Sequence, residues 1–215
     1  MNLLIMGGPG AGKGTMSEKI LEKYNILHIS TGDIFRSEIA QQTELGLLAK
    51  SYIDKGNLVP DEVTNKLVKS FLEKSDHANG YLLDGYPRTI DQAKAFNALV
   101  TRTDLEIDRI IYLRIPFEVL AERVTGRRIC NDCKSIFHIK NKPSKVEGIC
   151  DVCGGTLTQR KDDTLESLTV RVEEYKKLTA PVLFYYSEKN LVRTINADQS
   201  IEGVWADVQK ALEEK

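Results

Sequence analysis

No stretch of this chain carries the roughly 20 consecutive apolar residues that a membrane-spanning helix needs. Neither sign of charge prevails either: 30 lysines and arginines stand against 31 aspartates and glutamates. The first absence argues against a membrane-spanning helix. The second argues against an extended nucleic-acid face or an anionic membrane surface, both of which require a basic excess. Histidine is scarce, at 28, 77 and 138 only, and none belongs to a recognisable motif. His28 reads as a strand-end residue and the other two as surface, so imidazole acid–base chemistry is not expected. There is no low-complexity linker and no repeat of solenoid period. The first strand begins at once, leaving no room for a secretory signal, and a cytoplasmic location is expected. Cysteine is absent outside positions 130–153, so any sulfur chemistry belongs to one short segment.

What the chain does contain is an alternation of short apolar runs and helical patterns. Strands are expected at 2–6, 26–29, 81–84, 109–115 and 191–195, apolar without alternation, as in parallel strands covered on both faces. Helices are expected at 13–24, 61–73, 89–99, 117–124, 164–186 with a break near Pro181, and 201–213. The order predicts a three-layer α/β domain, and 215 residues suffice for one core with small insertions. Residues 30–59 hold only helical material, and residues 126–163 hold all four cysteines with little apolar periodicity. Both read as insertions at the carboxyl ends of strands, where ligands bind in such sheets.

Directly after the first apolar run comes Gly7-Gly8-Pro9-Gly10-Ala11-Gly12-Lys13-Gly14-Thr15. Strand, glycine-rich turn and helix together make a phosphate loop: backbone N–H groups point inward, the helix N-terminus faces the same charge, and Lys13 supplies a mobile cation. Gly14 stands where serine or threonine is usual, with Thr15 one place later.

Cys130-Asn131-Asp132-Cys133 and Cys150-Asp151-Val152-Cys153 form two C-x-x-C knuckles separated by 16 residues. This doubled spacing fits a four-thiolate metal site, with Lys134, Lys140, Lys142 and Lys145 nearby to offset its charge. Four sulfur ligands leave no open position, so the metal is expected to be structural. Such a site favours zinc and would also take iron or cobalt.

Arginines gather in short polar motifs at strand ends and insertion edges. Thr31-Gly32-Asp33-Ile34-Phe35-Arg36 follows the second strand and Asp84-Gly85-Tyr86-Pro87-Arg88 the third. Arg123, Arg127 and Arg128 precede the cysteines, Arg160 follows them, and Arg171 lies on the next helix. Planar guanidinium groups suit phosphate. Asp84 occupies the place of a carboxylate that holds magnesium, commonly through water; the alternative is a helix N-cap ahead of Arg88.

These motifs resemble the adenylate kinase family, within the nucleoside monophosphate kinases, over nearly the whole chain. The Gly-Thr after Lys13 resembles that family's phosphate loop, Thr31-Gly32-Asp33 with Arg36 its AMP motif, and Gly56-Asn57-Leu58-Val59-Pro60-Asp61 its adenine-receiving loop. The four-cysteine insertion is like the zinc-bearing long lid common in Gram-positive bacteria. The resemblance implies a P-loop kinase fold with a five-stranded parallel sheet and two mobile inserted segments. The core would comprise 1–29, 60–125 and 164–215, the AMP-binding insertion 30–59, and the zinc-binding lid 126–163. It implies reversible transfer from ATP to AMP giving two ADP, with Mg2+ carried by ATP, in a monomer serving adenine nucleotide balance.

By the same resemblance, Lys13, Asp84, Arg88, Arg123, Arg160 and Arg171 serve the transfer. Gly10, Ala11, Gly12, Lys13, Gly14, Thr15, Arg123, Arg127, Ile136, Phe137 and Gln199 hold ATP. Thr31, Arg36, Asn57, Leu58, Val59, Gly85, Tyr86, Pro87, Arg88, Gln92, Arg160 and Arg171 hold AMP, with Gln92 reading its base. The chain departs at Met16, where glutamine is usual, and at Tyr86, where phenylalanine is commoner. No general base is required, because the attacking phosphate oxygen is already anionic, and lid closure would exclude water. A kinase for UMP, CMP or GMP shares most of these features, and a zinc-ribbon nucleic-acid binder shares the cysteines. A guanine-nucleotide switch is excluded, since Asn141-Lys142-Pro143 lacks the aspartate of its motif.

Overall fold

Leu3, Leu4, Ile5 and Met6 are all buried, yet they face two different cores. In the computed structural model, which describes residues 1–101 and 103–214, Leu3 and Ile5 join one apolar cluster and Leu4 and Met6 join the other. The core pieces expected at 60–125 and 164–215 each contain one residue outside that description. The period-two geometry of a strand sends successive side chains to opposite faces. A continuous apolar run therefore serves a sheet covered on both sides.

The strands of this sheet are β1 (Asn2–Gly7), β2 (Leu27–Ser30), β3 (Tyr81–Asp84), β4 (Arg109–Arg114) and β8 (Val192–Asn196). They pair in the order β2-β3-β1-β4-β8, all parallel. One face carries α1 (Lys13–Tyr24), α6 (Phe117–Gly126), α7 (Leu165–Glu174) and α9 (Ile201–Glu213) through residues such as Ile20, Val124, Leu168 and Val208. The other carries α4 (Asp61–Lys74), α5 (Ile90–Val100) and α8 (Ala180–Ser187) through Val68, Phe96 and Tyr186. The fold is thus α/β with a five-stranded parallel sheet; β3 has the expected ends, and the ends of the other strands differ from the expected ones by at most one residue. The connection after β1 runs to one side of the sheet and that after β3 to the other, so β1 sits at a topological switch point. In open parallel sheets, ligands bind there.

Residues 30–59 fold as α2 (Thr31–Ala40) and α3 (Glu44–Ile53), capped at their starts by Ser30 and Thr43. Residues 126–163 contain a three-stranded antiparallel sheet in the order β6-β5-β7. Its strands are β5 (Arg127–Cys130), β6 (Ile136–His138) and β7 (Leu157–Thr158). These strands are too short to leave a periodic signature in the sequence.

The break expected near Pro181 lies earlier. The helix passes through a π segment at Tyr175–Thr179 before α8 begins, with Pro181 near the start of α8. Proline lacks an N–H and its ring crowds the carbonyl four residues back. The wider π turn takes up that conflict one turn ahead of the proline.

Candidate active site

The loop from Gly7 to Gly12 turns between β1 and α1. Gly10 has φ 84°, and a Cβ there would come within 2.6 Å of Val124, so glycine is required twice over. At Gly14 the backbone is ordinary, and a Cβ would meet only the tip of the Ile136 side chain of β6, at 2.8 Å. The residue that departs from the usual phosphate loop is the one against which the cysteine-bearing segment rests. Lys13 folds back over the loop, its Nζ donating to the carbonyls of Gly7 at 2.9 Å and Gly8 at 3.0 Å. An ammonium has three donors, so one is left for a ligand.

Parallel pairing of β2 and β3 sets Ser30 beside Asp84. Two motifs far apart in sequence therefore open side by side. Thr31 Oγ1 donates to the Gly85 carbonyl at 2.9 Å, and Arg88 Nε donates to the same carbonyl at 2.7 Å. The Tyr86–Pro87 peptide is cis. Asp84 is not the cap of the following helix: Thr89 caps α5, which leaves the Asp84 carboxylate at the mouth of the phosphate loop.

Two cavities flank this point. The smaller, about 140 Å³, is lined by Thr31, Arg36, Asn57, Leu58, Val59, Gly85, Tyr86, Pro87, Arg88, Gln92 and Arg171. The larger, about 720 Å³, is lined by residues 10–15 together with Asp84, Arg123, Arg127, Ile136, Phe137, Arg160 and Gln199. Lys13, Arg88 and Arg171 line both. Arg160, assigned from the sequence to the transfer and to AMP, lines only the larger cavity and not the one that holds the other expected AMP residues. Met16, buried in the core, also reaches the wall of the larger cavity.

Positive charge accumulates where the cavities meet. Burial, reinforced by Arg88, Arg171 and Arg127 and opposed by Asp84, lowers the Lys13 pKa to about 8. Burial and the neighbouring Arg171 and Arg36 push Arg88 down to about 10, with Asp84 opposing. Burial, with Arg36 and Arg127, lowers Arg160 to about 9. These guanidinium groups remain charged at neutral pH, and their mutual repulsion marks a site arranged for a polyanion.

The remaining arginines have carboxylate or carbonyl partners. Arg127 grips the fully buried Asp163 with two nitrogens, Nε at 2.8 Å. Arg171 pairs with Asp162 at 3.0 Å. Arg36 pairs with Asp33, which Arg160 also approaches at 3.7 Å. Arg123 donates to the Ala197 carbonyl at 2.8 Å. Arg88, like Lys13, has no ion pair within 4 Å among the described residues; its Nε is engaged by the Gly85 carbonyl.

The sequence did not point to these acidic partners, because pairing across 36 residues, as between Arg127 and Asp163, leaves no local pattern. His138 was also misplaced. It is buried rather than at the surface, because β6 pairs with the strand directly after α6. Its Nδ1 accepts from the N–H groups of Lys140 and Asn141, both at 3.0 Å. Nε2 therefore carries the proton and donates to the Glu122 carbonyl at 3.2 Å. The ring fastens β6 to α6. His77 is partly exposed and His28 is exposed at the start of β2.

The four cysteine sulfurs lie within 4.8 Å of one another, Cys130–Cys153 at 3.4 Å and Cys133–Cys150 at 3.5 Å. The edge of a tetrahedron with metal–sulfur bonds of about 2.3 Å is about 3.8 Å, so the cluster has the dimensions of a tetrathiolate metal site. The Val152 N–H points at the Cys150 sulfur at 3.4 Å, a contact that stabilises a thiolate. Of the lysines expected around the cluster, Lys140 pairs instead with Glu122, and Lys142 lies over the Phe137 ring.

The family model for adenylate kinase matches residues 5–191. The adenylate kinase of Carboxydothermus hydrogenoformans is 49% identical over 213 residues, covering 99% of this chain and all of that one. The adenylate kinase of a Geobacillus strain is 49% identical over 212 residues, covering 99% of this chain and 98% of the relative. That of a Clostridium botulinum strain is 45% identical over the full length of both.

Proposed function

The chain belongs to the adenylate kinase family, and from that premise we infer that it transfers a phosphoryl group reversibly from ATP to AMP, giving two ADP. One observation carries this reading to particular residues: two cavities on either side of the phosphate loop share Lys13, Arg88 and Arg171. The larger cavity takes ATP, with its phosphates over residues 10–15 and its base between Phe137 and Gln199. The smaller takes AMP, with its phosphate toward Arg36 and Arg88 and its base toward Asn57–Val59 and Gln92. Phosphoryl transfer needs little covalent help from a protein, and positioning with charge neutralisation dominates. Lys13, Arg88, Arg123, Arg160 and Arg171 supply that charge. Asp84 is placed to orient the water shell of Mg2+, which when bound with ATP neutralises the phosphate oxygens.

Residues 30–59 and 126–163 act as movable covers of the core formed by 1–29, 60–125 and 164–215, and their closure excludes water from the donor phosphate. Cys130, Cys133, Cys150 and Cys153 hold zinc in a structural role. The protein works as a cytoplasmic monomer; no helix among the described residues is long and apolar enough to cross a membrane. A coupled assay comparing AMP, CMP, UMP and GMP as acceptors tests the reading. A pyrimidine leaves the polar groups around the base unmatched, so AMP should lead by a large factor. Equal turnover with UMP would overturn the acceptor assignment.

A further inference from the structure

Gln92 sits in the first turn of α5, 2% exposed, and lines the smaller cavity. Its side-chain amide is held at both ends. Oε1 accepts from the backbone N–H of Arg88 at 2.7 Å, and Nε2 donates to Asp61 Oδ1 at 2.7 Å. A backbone N–H can only donate and an ionised carboxylate can only accept, so the amide has one orientation. Asp61 is held in turn: its Oδ2 accepts from the Thr89 hydroxyl at 2.6 Å, and the Thr89 oxygen accepts from the Gln92 backbone N–H at 3.1 Å. The three residues close a ring between the start of α4 and the start of α5.

We propose that Asp61 is a positioning residue that sets base specificity: by locking the Gln92 amide, it makes the acceptor site select a 6-amino purine monophosphate over a 6-oxo one. The inference rests on the smaller cavity being the acceptor site. A primary amide has two donor hydrogens and two acceptor lone pairs. The protein engages one of each, leaving one N–H and one lone pair for a ligand. Adenine presents an acceptor at N1 beside a donor at its 6-amino group. Hypoxanthine presents the reverse, a donor at N1 beside an acceptor at O6. With ribose and phosphate fixing the base, the second pattern requires the amide to turn over. That turn sets Oε1 against the Asp61 carboxylate and Nε2 against the Arg88 N–H, two repulsive contacts in a buried place. The two purines have almost the same shape, so packing alone separates them poorly.

The test compares kcat/KM for AMP and IMP, with saturating MgATP, in the full chain and in Asp61→Asn and Asp61→Ala. Asparagine retains a weaker, neutral acceptor for Gln92 and alanine retains none. The AMP-over-IMP ratio should fall about threefold in the first variant and about tenfold in the second, in line with loss of a charge-assisted hydrogen bond. A ratio unchanged in Asp61→Ala overturns the proposal, as does an equal fall for both acceptors, which would mean that Asp61 only supports the loop. Should alanine at this helix start impair folding, an unchanged ratio in Asp61→Asn overturns it equally. A wild-type chain inactive toward AMP would refute the acceptor reading itself and is distinct from either result.

Discussion

All six residues of β1 are buried, and its apolar side chains divide between two large clusters. The segment from Arg127 to Thr158, by contrast, has an apolar cluster of four side chains, Cys130, Phe137, Cys150 and Leu157. Two of the four are cysteines whose sulfurs belong to a metal-sized cluster. The main sheet is held by apolar burial on both faces, and its order needs nothing from outside the chain. The small sheet has little apolar surface for a segment of its length, and on the proposed reading its order depends on a metal held by the cysteines. The difference separates two kinds of failure. On the proposed reading, a change beside the main sheet acts on the chemistry, because Lys13, Arg88 and Arg171, which line both cavities, stand at its strand ends and helices. On the same reading, a change among the cysteines acts on the order of residues 126–163 alone.

The largest effect that could break this comparison lies in the core. Arg88 lines both cavities and has no ion pair among the described residues, so its charge counts most when the phosphoryl group is between donor and acceptor. Arg88→Ala should lower kcat by roughly 10³-fold, the range seen when an arginine that stabilises phosphoryl transfer is removed. Steady-state kinetics over both nucleotides would show it. A loss confined to KM for AMP would assign Arg88 to ground-state binding alone and move the weight of catalysis toward Arg123 and Arg160.

A smaller effect sharpens the division between core lysine and lid arginines. Lys13 is held at about pKa 8 chiefly by burial, and a bound polyphosphate favours its protonated form. Above pH 8 the free enzyme must take up a proton to bind ATP, so affinity falls as pH rises. Between pH 7 and pH 9 the Kd should rise about tenfold. Folding stability moves the other way. The unfolded chain keeps its lysine proton above pH 8, binds more protons than the folded one, and is disfavoured as pH rises toward the ordinary lysine value. Calorimetric titration of ATP beside chemical denaturation across this range measures both slopes. A flat binding profile would place the affinity in groups other than Lys13.

The same contrast explains what was legible in the sequence. Leu3–Met6 announced a buried strand because both faces of that strand are apolar, and the glycines before Lys13 announced a phosphate loop because a close-packed turn tolerates little else. The cysteine spacing announced a metal cluster because tetrahedral geometry restricts the intervening chain. The strands β5, β6 and β7 were not legible, since at two to four residues each they show no period. His138 read as surface because nothing local reveals that β6 folds back onto α6. The ring of Asp61, Thr89 and Gln92 was hidden for the same reason. Asp61 lies 28 residues from Thr89 and 31 from Gln92 and meets them only because α4 and α5 pack on one face of the sheet.

The smallest expected effect on activity tests the other half of the comparison. If Cys130, Cys133, Cys150 and Cys153 close a four-thiolate site, the metal has no open position and activates no water. Its binding free energy then goes into ordering residues 126–163, because the unfolded segment has no preformed site. Cys150→Ser replaces a buried sulfur with a poorer ligand. It should lower zinc retention and reduce the thermal midpoint by roughly 5 °C or more, given that about 1 kcal/mol shifts a chain of this size by about 2–4 °C. Below that transition kcat should remain within about tenfold, for three connected reasons. Arg123 is on α6 and bonded to the Ala197 carbonyl beyond β8, outside the cysteine segment. Arg127 keeps its grip on the buried Asp163. His138 keeps β6 fastened to α6 through the Glu122 carbonyl. The hinge side of the cover thus has its own attachments, and the cysteines order only its far side. Metal content, melting temperature and low-temperature kcat measured on one preparation decide the matter. Abolished turnover in a folded, zinc-free variant would show that the far side positions the reacting groups after all, and lost zinc with an unchanged midpoint would remove the metal from the account of stability.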